Sequence, residues 1–461
     1  MKTCKSSIVY LLMFAGIVFA SCNNSNPDNN DSGLAEYSVL VYGNAGGGMD
    51  RIMESAFEKS IPVMTSEKVR LAILYKYGKD STMQTQDDGT EKMEYTFSGK
   101  YADPGQLVFF ELNNKTDLSQ LREASVTWPD FELFDPACLA AALDTLKKRM
   151  PAKQYILIIY GHGGGFDENA DYPKEWRKDV SGRRRAVLYD EWFRTGYRSE
   201  SEGMNMYELT EALGETEIEN LKAIFFHNCL MGNMETLDNI YPYADYLLTS
   251  MHALAGNSIL LVELLKALYQ NTDFEQAAMQ MFKTAVPSWR EDYHSDDEDV
   301  NGDINLIKAS EFPKLEPLFE KLAKRLIELY PTQKEAIDRA ADKTYKICKS
   351  YNFFDALDYA DKVAAETGDE QLKLIADDIR DTFRKVIIHS EGVHLNKEAP
   401  LDNFTLSIVL TDKEGYNKQT HWGYTFANAY SFTGFDLMTN WGDWLNTCTH
   451  APTGNPTGQP L

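Results

Sequence analysis

Phe225-Phe226-His227-Asn228-Cys229-Leu230-Met231-Gly232-Asn233 is the stretch whose reading decides the fold. An apolar run from Ala223 to Phe226 gives way to a polar pair, a cysteine, and a glycine that opens a helical pattern. A second stretch upstream has the same shape, Tyr155-Ile156-Leu157-Ile158-Ile159-Tyr160 breaking into Gly161-His162-Gly163-Gly164-Gly165. A run without polar alternation is what a strand carries when helices cover both faces of its sheet, so both read as buried parallel strands. In an open parallel sheet, reactive groups gather just past the carboxyl ends of the strands. His162 and Cys229 both stand there. A thiolate attacks far better than a thiol, and an imidazole nearby supplies or stabilises that charge. The peptide N–H groups of Gly163 and Cys229 are then natural donors to a developing oxyanion.

Outward from this pair, Tyr37 to Gly43 reads as a first strand, Val69 to Tyr75 as a second and Gln106 to Leu112 as a third. Residues 76–100 look like an exposed excursion between the last two. Asp135-Pro136 is a strong helix start, a capping side chain followed by proline in the first turn, and Leu139, Leu143, Leu146 and Met150 recur at helical spacing. A helix around Asn205 to Leu213 and a strand at Tyr246 to Ser250 bracket the Cys229 strand. Strand and helix alternating at these intervals mean an α/β fold with a mainly parallel sheet over residues 36–258. Residues 259–400 are mostly helical in pattern, and 401–461 read as a strand and helix returning to the sheet.

Several classes of function are excluded by composition. A chain of 461 residues with 43% apolar residues builds a substantial core, and a net charge of −24 argues against a nucleic-acid partner, which needs a basic face. Residues 1–21 read as a signal peptide, with Lys2 and Lys5 ahead of an apolar segment that ends in small residues directly before Cys22. That pattern is similar to the bacterial lipoprotein processing box, so Cys22 is the expected lipid attachment site and residues 22–35 a flexible tether. Membrane association is expected through this anchor only, on the periplasmic or cell-surface side of a bacterial envelope. Cys138, Cys229, Cys348 and Cys448 are widely spaced without a CxxC pair, and no metal site is indicated. Asp297, Asp299, Asn301, Gly302, Ile304 and Asn305 match the first nine positions of an EF-hand calcium loop, but Lys308 stands where the closing carboxylate belongs. Calcium is the alternative there to a plain acidic loop.

The block Gly161-His162-Gly163-Gly164-Gly165, with Cys229-Leu230-Met231-Gly232 and Met234-Glu235, resembles the clostripain-like cysteine peptidases of the wider caspase, legumain and gingipain group. The resemblance covers most of residues 36–445. It implies a caspase-like sheet with helices on both faces, a catalytic dyad of His162 and Cys229, and hydrolysis of a peptide bond through a thioester, the substrate a peptide or protein; a monomer is expected. Two positions depart from the family pattern. Two residues before the cysteine, where family members carry an aspartate that holds a basic substrate side chain, this chain has His227. After the next strand, where an acidic segment and Pro-Gly are usual, it reads Met251-His252-Ala253-Leu254-Ala255-Gly256. His227, Asn228, Ser250 and His252 are thus the expected substrate-binding residues, and a pocket without fixed negative charge does not suit Arg or Lys, since burying an unpaired guanidinium is costly. Lys174, Arg177, Lys178 and Arg183 to Arg185 are candidate sites of activating self-cleavage. Two rivals stand beside this reading. A nucleotide binder using Gly46-Gly47-Gly48 or Gly163-Gly164-Gly165 lacks GxGxxG and a P-loop lysine. A surface lipoprotein that kept the fold and lost turnover would act as a binding protein.

Overall fold

In the computed structural model the described residues are 34–44, 49–78, 80–85, 91–96, 99–103, 105–124, 126–127, 133–161, 163–165, 188–189, 203–204, 206–252, 254, 260–271, 273–289, 301–347, 353–394, 405–410 and 434–449. Ala35–Leu461 forms one compact unit and Met1–Leu34 another, of which only Leu34 is described. The strands are β1 (Ala35–Asn44), β2 (Val69–Lys76), β3 (Asp80–Thr85), β4 (Glu91–Thr96), β5 (Leu107–Leu112), β6 (Val126–Thr127), β7 (Ala152–Tyr160) and β8 (Leu188–Tyr189). They continue as β9 (Gly203–Met204), β10 (Leu221–His227), β11 (Ala244–Thr249), β12 (Asn301–Lys308), β13 (Phe353–Asp355), β14 (Ile387–His394) and β15 (Ser407–Val409).

Nine of these strands form one sheet in the order β14-β12-β11-β10-β7-β1-β2-β5-β6. The five at its centre, β11-β10-β7-β1-β2, are parallel, and the pairs outside them are antiparallel. Alternate residues of the two apolar runs enter separate cores. Leu157, Ile159, Ile224 and Phe226 pack on one face, while Ile156, Ile158, Ala223 and Phe225 pack on the other. Burial on both faces is why neither run shows polar alternation.

The helical stretch after β11 is not a separate layer. Its helices Leu260–Gln270 and Phe274–Ala285 cover one face of the sheet, and Glu316–Lys343, Ala356–Thr367 and Glu370–Val386 cover the other. Between them β12 and β14 extend the sheet itself, two strands absent from the sequence reading. Within this mostly helical stretch Gly368 takes φ 65° and closes one helix, after which Asp369 caps the next through the Leu372 N–H. The strand expected in 401–461 to return to the sheet is not part of it among the described residues. Ser407–Val409 pairs with β13 and bridges to Asn233. The excursion after β2 contains the hairpin β3–β4. The Asp135-Pro136 helix start is as expected, Asp135 accepting from the Ala137 N–H at 2.9 Å.

Directly after the cysteine loop, Asn233 caps the helix Met234–Ile240 by accepting from the Thr236 N–H at 2.7 Å. Asp238 on this helix is raised well above the usual carboxylate range, by burial first and then by Glu316 and Glu235. Glu316, at the start of the helix Glu316–Lys343, is raised too, burial again the largest cause. The folded state therefore holds a proton that the unfolded chain releases near its ordinary pKa of about 4. This contribution to stability is full below that value and is lost as pH rises through the higher folded one. Asp238→Asn, which mimics the protonated acid, should flatten the pH dependence of the urea midpoint above pH of about 4 and be roughly 1–3 kcal/mol more stable at weakly alkaline pH. An unchanged slope would place the proton elsewhere.

Candidate active site

The register of the two central strands sets the geometry. Tyr160 of β7 pairs with His227 of β10, so Gly161 and Asn228 leave the sheet side by side at the carboxyl edge. His162 lies outside the described residues, but the glycines on both sides of it are inside. A Cβ on Gly163 would stand 2.6 Å from the Cys229 carbonyl oxygen and 2.7 Å from the Asn228 Cβ. Two more residues on, Gly165 has φ +72°, and a Cβ there would meet the Leu230 carbonyl at 2.8 Å. Only glycine fits at both places. The glycine run is thus wedged against the cysteine loop.

Cys229 is half-buried, its Sγ 3.8 Å from the Leu254 carbonyl oxygen, and it is not in a disulfide. The next residue, Leu230, holds φ 63°, the left-handed conformation that costs a branched side chain about 1–2 kcal/mol. Hydrogen bonds hold the loop in this shape. Leu230 N–H donates to the His252 carbonyl at 3.0 Å, and Gly232 N–H to the Ser250 carbonyl at 2.7 Å. From the other side, Ser407 N–H donates to the Gly232 carbonyl at 2.8 Å, and Val409 N–H to Glu235 Oε1 at 3.0 Å.

The expected substrate-binding residues all cluster at this edge, and all are buried. His227, 6% exposed, lies against Tyr160 with ring centroids 5.2 Å apart and against Phe225 at 5.4 Å. Asp50 is 2% exposed and, after burial, helps raise the Tyr75 and Tyr160 phenols. Asn228 packs at Gly163. The Ser250 hydroxyl lies 2.8 Å from Asp303 Oδ1. His252 is 3% exposed, with Nδ1 2.7 Å from Asp303 Oδ1 and Nε2 2.8 Å from the Tyr345 hydroxyl. Both ring nitrogens therefore face protein groups. Asp303 and Tyr345 were not singled out by sequence. The signal for Asp303 was the alternation Asp303-Ile304-Asn305-Leu306, polar side chains on one face of a strand and apolar on the other.

That alternation also corrects the calcium reading in part. Asn301 to Lys308 is strand β12, with Ile304 inside the core and Asp303 and Asn305 bonded to each other at 3.0 Å, so these residues do not form a loop. Asp297 and Asp299 lie outside the described residues, as do Cys22, Gly46 to Gly48, Lys174, Arg177, Lys178, Arg183 to Arg185 and Gly256. Among the described residues no cluster of three or more His, Cys, Asp or Glu could hold a metal ion, and no helix is long and apolar enough to cross a membrane.

Comparison with known proteins adds an independent line. The profile of the clostripain family, peptidase C11, matches residues 107–447. Among solved structures, a secreted C11 cysteine protease from Bacteroides thetaiotaomicron in complex with an irreversible peptide inhibitor is similar at 15% identity and a TM-score of 0.56, covering 88% of this chain and 99% of that one. An inactive zymogen C11 protease from Parabacteroides distasonis is similar at 13% identity and a TM-score of 0.54, covering 88% and 98%. At these identities the likeness shows the fold. No curated protein matches.

Gly163→Ala should lower stability by about 1–3 kcal/mol, since the added methyl overlaps backbone of the cysteine loop. Gly214→Ala is the control: a Cβ there meets only the Tyr243 hydroxyl at 3.8 Å, in a helix where alanine is favoured by about 0.5–1 kcal/mol. Denaturant midpoints that move in the same direction for both would refute the close approach.

Proposed function

The chain belongs to the clostripain family of cysteine peptidases, and from that premise we propose that it is an endopeptidase with His162 and Cys229 as its dyad. The observation that carries this is the Tyr160–His227 register together with the contact of Gly163 on Cys229, which favours meeting of the two strand ends over one cleft. In this reading the Cys229 thiolate attacks the substrate carbonyl, with His162 taking the thiol proton and returning it to the leaving amine. The Cys229 and Gly163 N–H groups receive the oxyanion, the thioester forms as the amine leaves, and water then releases the acid. The substrate is an exported peptide or protein, and the enzyme is tethered to the envelope through a lipid on Cys22.

For selectivity we propose a preference for side chains other than Lys and Arg. The ring of His227, buried against Tyr160 and Phe225, offers no fixed negative charge two residues ahead of the nucleophile. One observation favours the opposite: the buried Asp50 carboxylate is near enough to Tyr160, the ring against His227, to help raise its phenol after burial does.

A peptide library cut by the full chain, beside Cys229→Ala, tests both parts. The expected result is cleavage by the wild type, enrichment of non-basic residues before the cut, and no hydrolysis by the alanine form. Residual hydrolysis by Cys229→Ala would remove the nucleophile from the mechanism, and enrichment of Lys or Arg would return the basic pocket. An unreactive wild type whose thiol alkylates slowly and titrates near about 8.5 would favour the binding protein.

A further inference from the structure

Resting on the reading of Cys229 as nucleophile, we propose that Asp303, His252 and Tyr345 are positioning residues that fix the backbone of the nucleophile loop, so that His252 acts through the loop and not by touching substrate. The loop needs such support. Leu230 holds a left-handed φ that the chain would relax if released, and the hydrogen bonds that oppose relaxation end on the carbonyls of Ser250 and His252. Those two residues follow Thr249, the last residue of β11 that its ladder with β12 pairs.

Asp303 is what holds them. Five donor groups lie within hydrogen-bond distance of its two carboxylate oxygens: Ser250 Oγ at 2.8 Å, Met251 N–H at 3.2 Å, His252 N–H at 2.9 Å, His252 Nδ1 at 2.7 Å and Asn305 Nδ2 at 3.0 Å. A carboxylate is the one side chain of this size that accepts at every position without donating. It is 0% exposed in the middle of β12, which is paired to β11 on one side and β14 on the other, so it has no freedom to follow the loop. With Nδ1 directed to Asp303 and Nε2 to the Tyr345 hydroxyl, the His252 ring is pinned at both ends.

The second clamp on the loop returns to the same place. Asn305 Nδ2 also donates to the Thr405 carbonyl at 3.3 Å, two residues before the Ser407 N–H that grips the Gly232 carbonyl. Thr405 N–H and hydroxyl donate to Asp355 at 2.7 and 2.9 Å, and Asp355 N–H donates to the Tyr345 carbonyl at 2.9 Å. The circuit Asp303–His252–Tyr345–Asp355–Thr405–Asn305–Asp303 is therefore closed. Gly232 is held at its N–H from one arc and at its carbonyl from the other. Cys229 stands three residues before Gly232, and an error of about 1 Å in a reacting group costs on the order of a hundredfold in rate.

The test uses the full chain carrying Asp303→Asn and, separately, Tyr345→Phe. Readouts are kcat and KM on a cleaved library peptide, the iodoacetamide alkylation rate of Cys229, and the melting curve. Asp303→Asn should lower kcat about tenfold to a hundredfold with KM within about threefold, and slow alkylation, while melting above the assay temperature. Tyr345→Phe should move the same readouts in the same direction by less. A folded Asp303→Asn with wild-type kcat and alkylation overturns the proposal, as does a rise in KM alone, the mark of a substrate contact. Where Asp303→Asn does not fold, Tyr345→Phe decides, and wild-type kcat and alkylation in it overturn the claim. A wild type that cuts no peptide removes the peptidase reading, and the alkylation rates still decide whether the loop is held in this way.

Discussion

The pairing of β7 with β10 at one fixed register is the constraint on which the rest depends. Side chains along a strand alternate between faces, so a slip of one residue would move each apolar group to the wrong core. Here both faces are apolar, and a slip would not put a polar group inside along the run itself. The penalty falls at its ends. Moving β10 by one residue would drive His227 into the helix-covered interior, or withdraw Phe226 and leave a cavity. Each such aromatic contributes about 1.5–3 kcal/mol when fully buried. The polar break at Gly161 and the one at Asn228 are therefore forced to coincide. That coincidence makes a site.

From that edge the structure passes from apolar to polar cohesion within a few residues. β10 is held by side-chain packing, but the loop after it has Leu230 in a strained conformation and depends on main-chain bonds to Ser250, His252 and Ser407. Such bonds are worth little net when exposed and are costly to lose when buried. Their shield is the antiparallel addition β12–β14 on one side and the β13–β15 ladder on the other. The two added units thus act on the parallel core at its carboxyl edge and not merely at its border.

What was legible in the sequence follows from the same division. The apolar runs at 155–160 and 223–226 announce buried strands, because composition alone encodes burial on two faces. Asp135-Pro136 announces a helix, because a cap acts within four residues. Strand β12 was hidden. Its acidic residues and asparagines fall at the spacing of a cation-binding loop, and only the burial of Asp303 and Asn305 turns the same letters into an inward polar face. Strand β14 was hidden because Val386 ends a helix and Ile387 begins the strand with no breaker between them. For the site, Cys229 and the glycines were readable from local pattern. Asp303 and Tyr345 were not, since their partner His252 is 51 and 93 residues away along the chain.

The choice between an enzyme and an inert binding fold can be pressed one step further from energetics. Burying a carboxylate among five donor groups, one of them an imidazole, is a poor way to gain stability, since desolvation offsets much of the attraction, and apolar residues of the same volume often do as well. A chain selected only to keep its fold has no need of that arrangement at 0% exposure beneath one loop. What the arrangement does secure is definition, since a fully satisfied polar network permits one geometry where an apolar cluster permits several. A strained leucine held by that network, next to a half-buried thiol, is strain retained where position matters more than stability. A surface that merely binds a partner through its exterior would not need the interior behind Cys229 to be so exacting, and this weighs toward turnover.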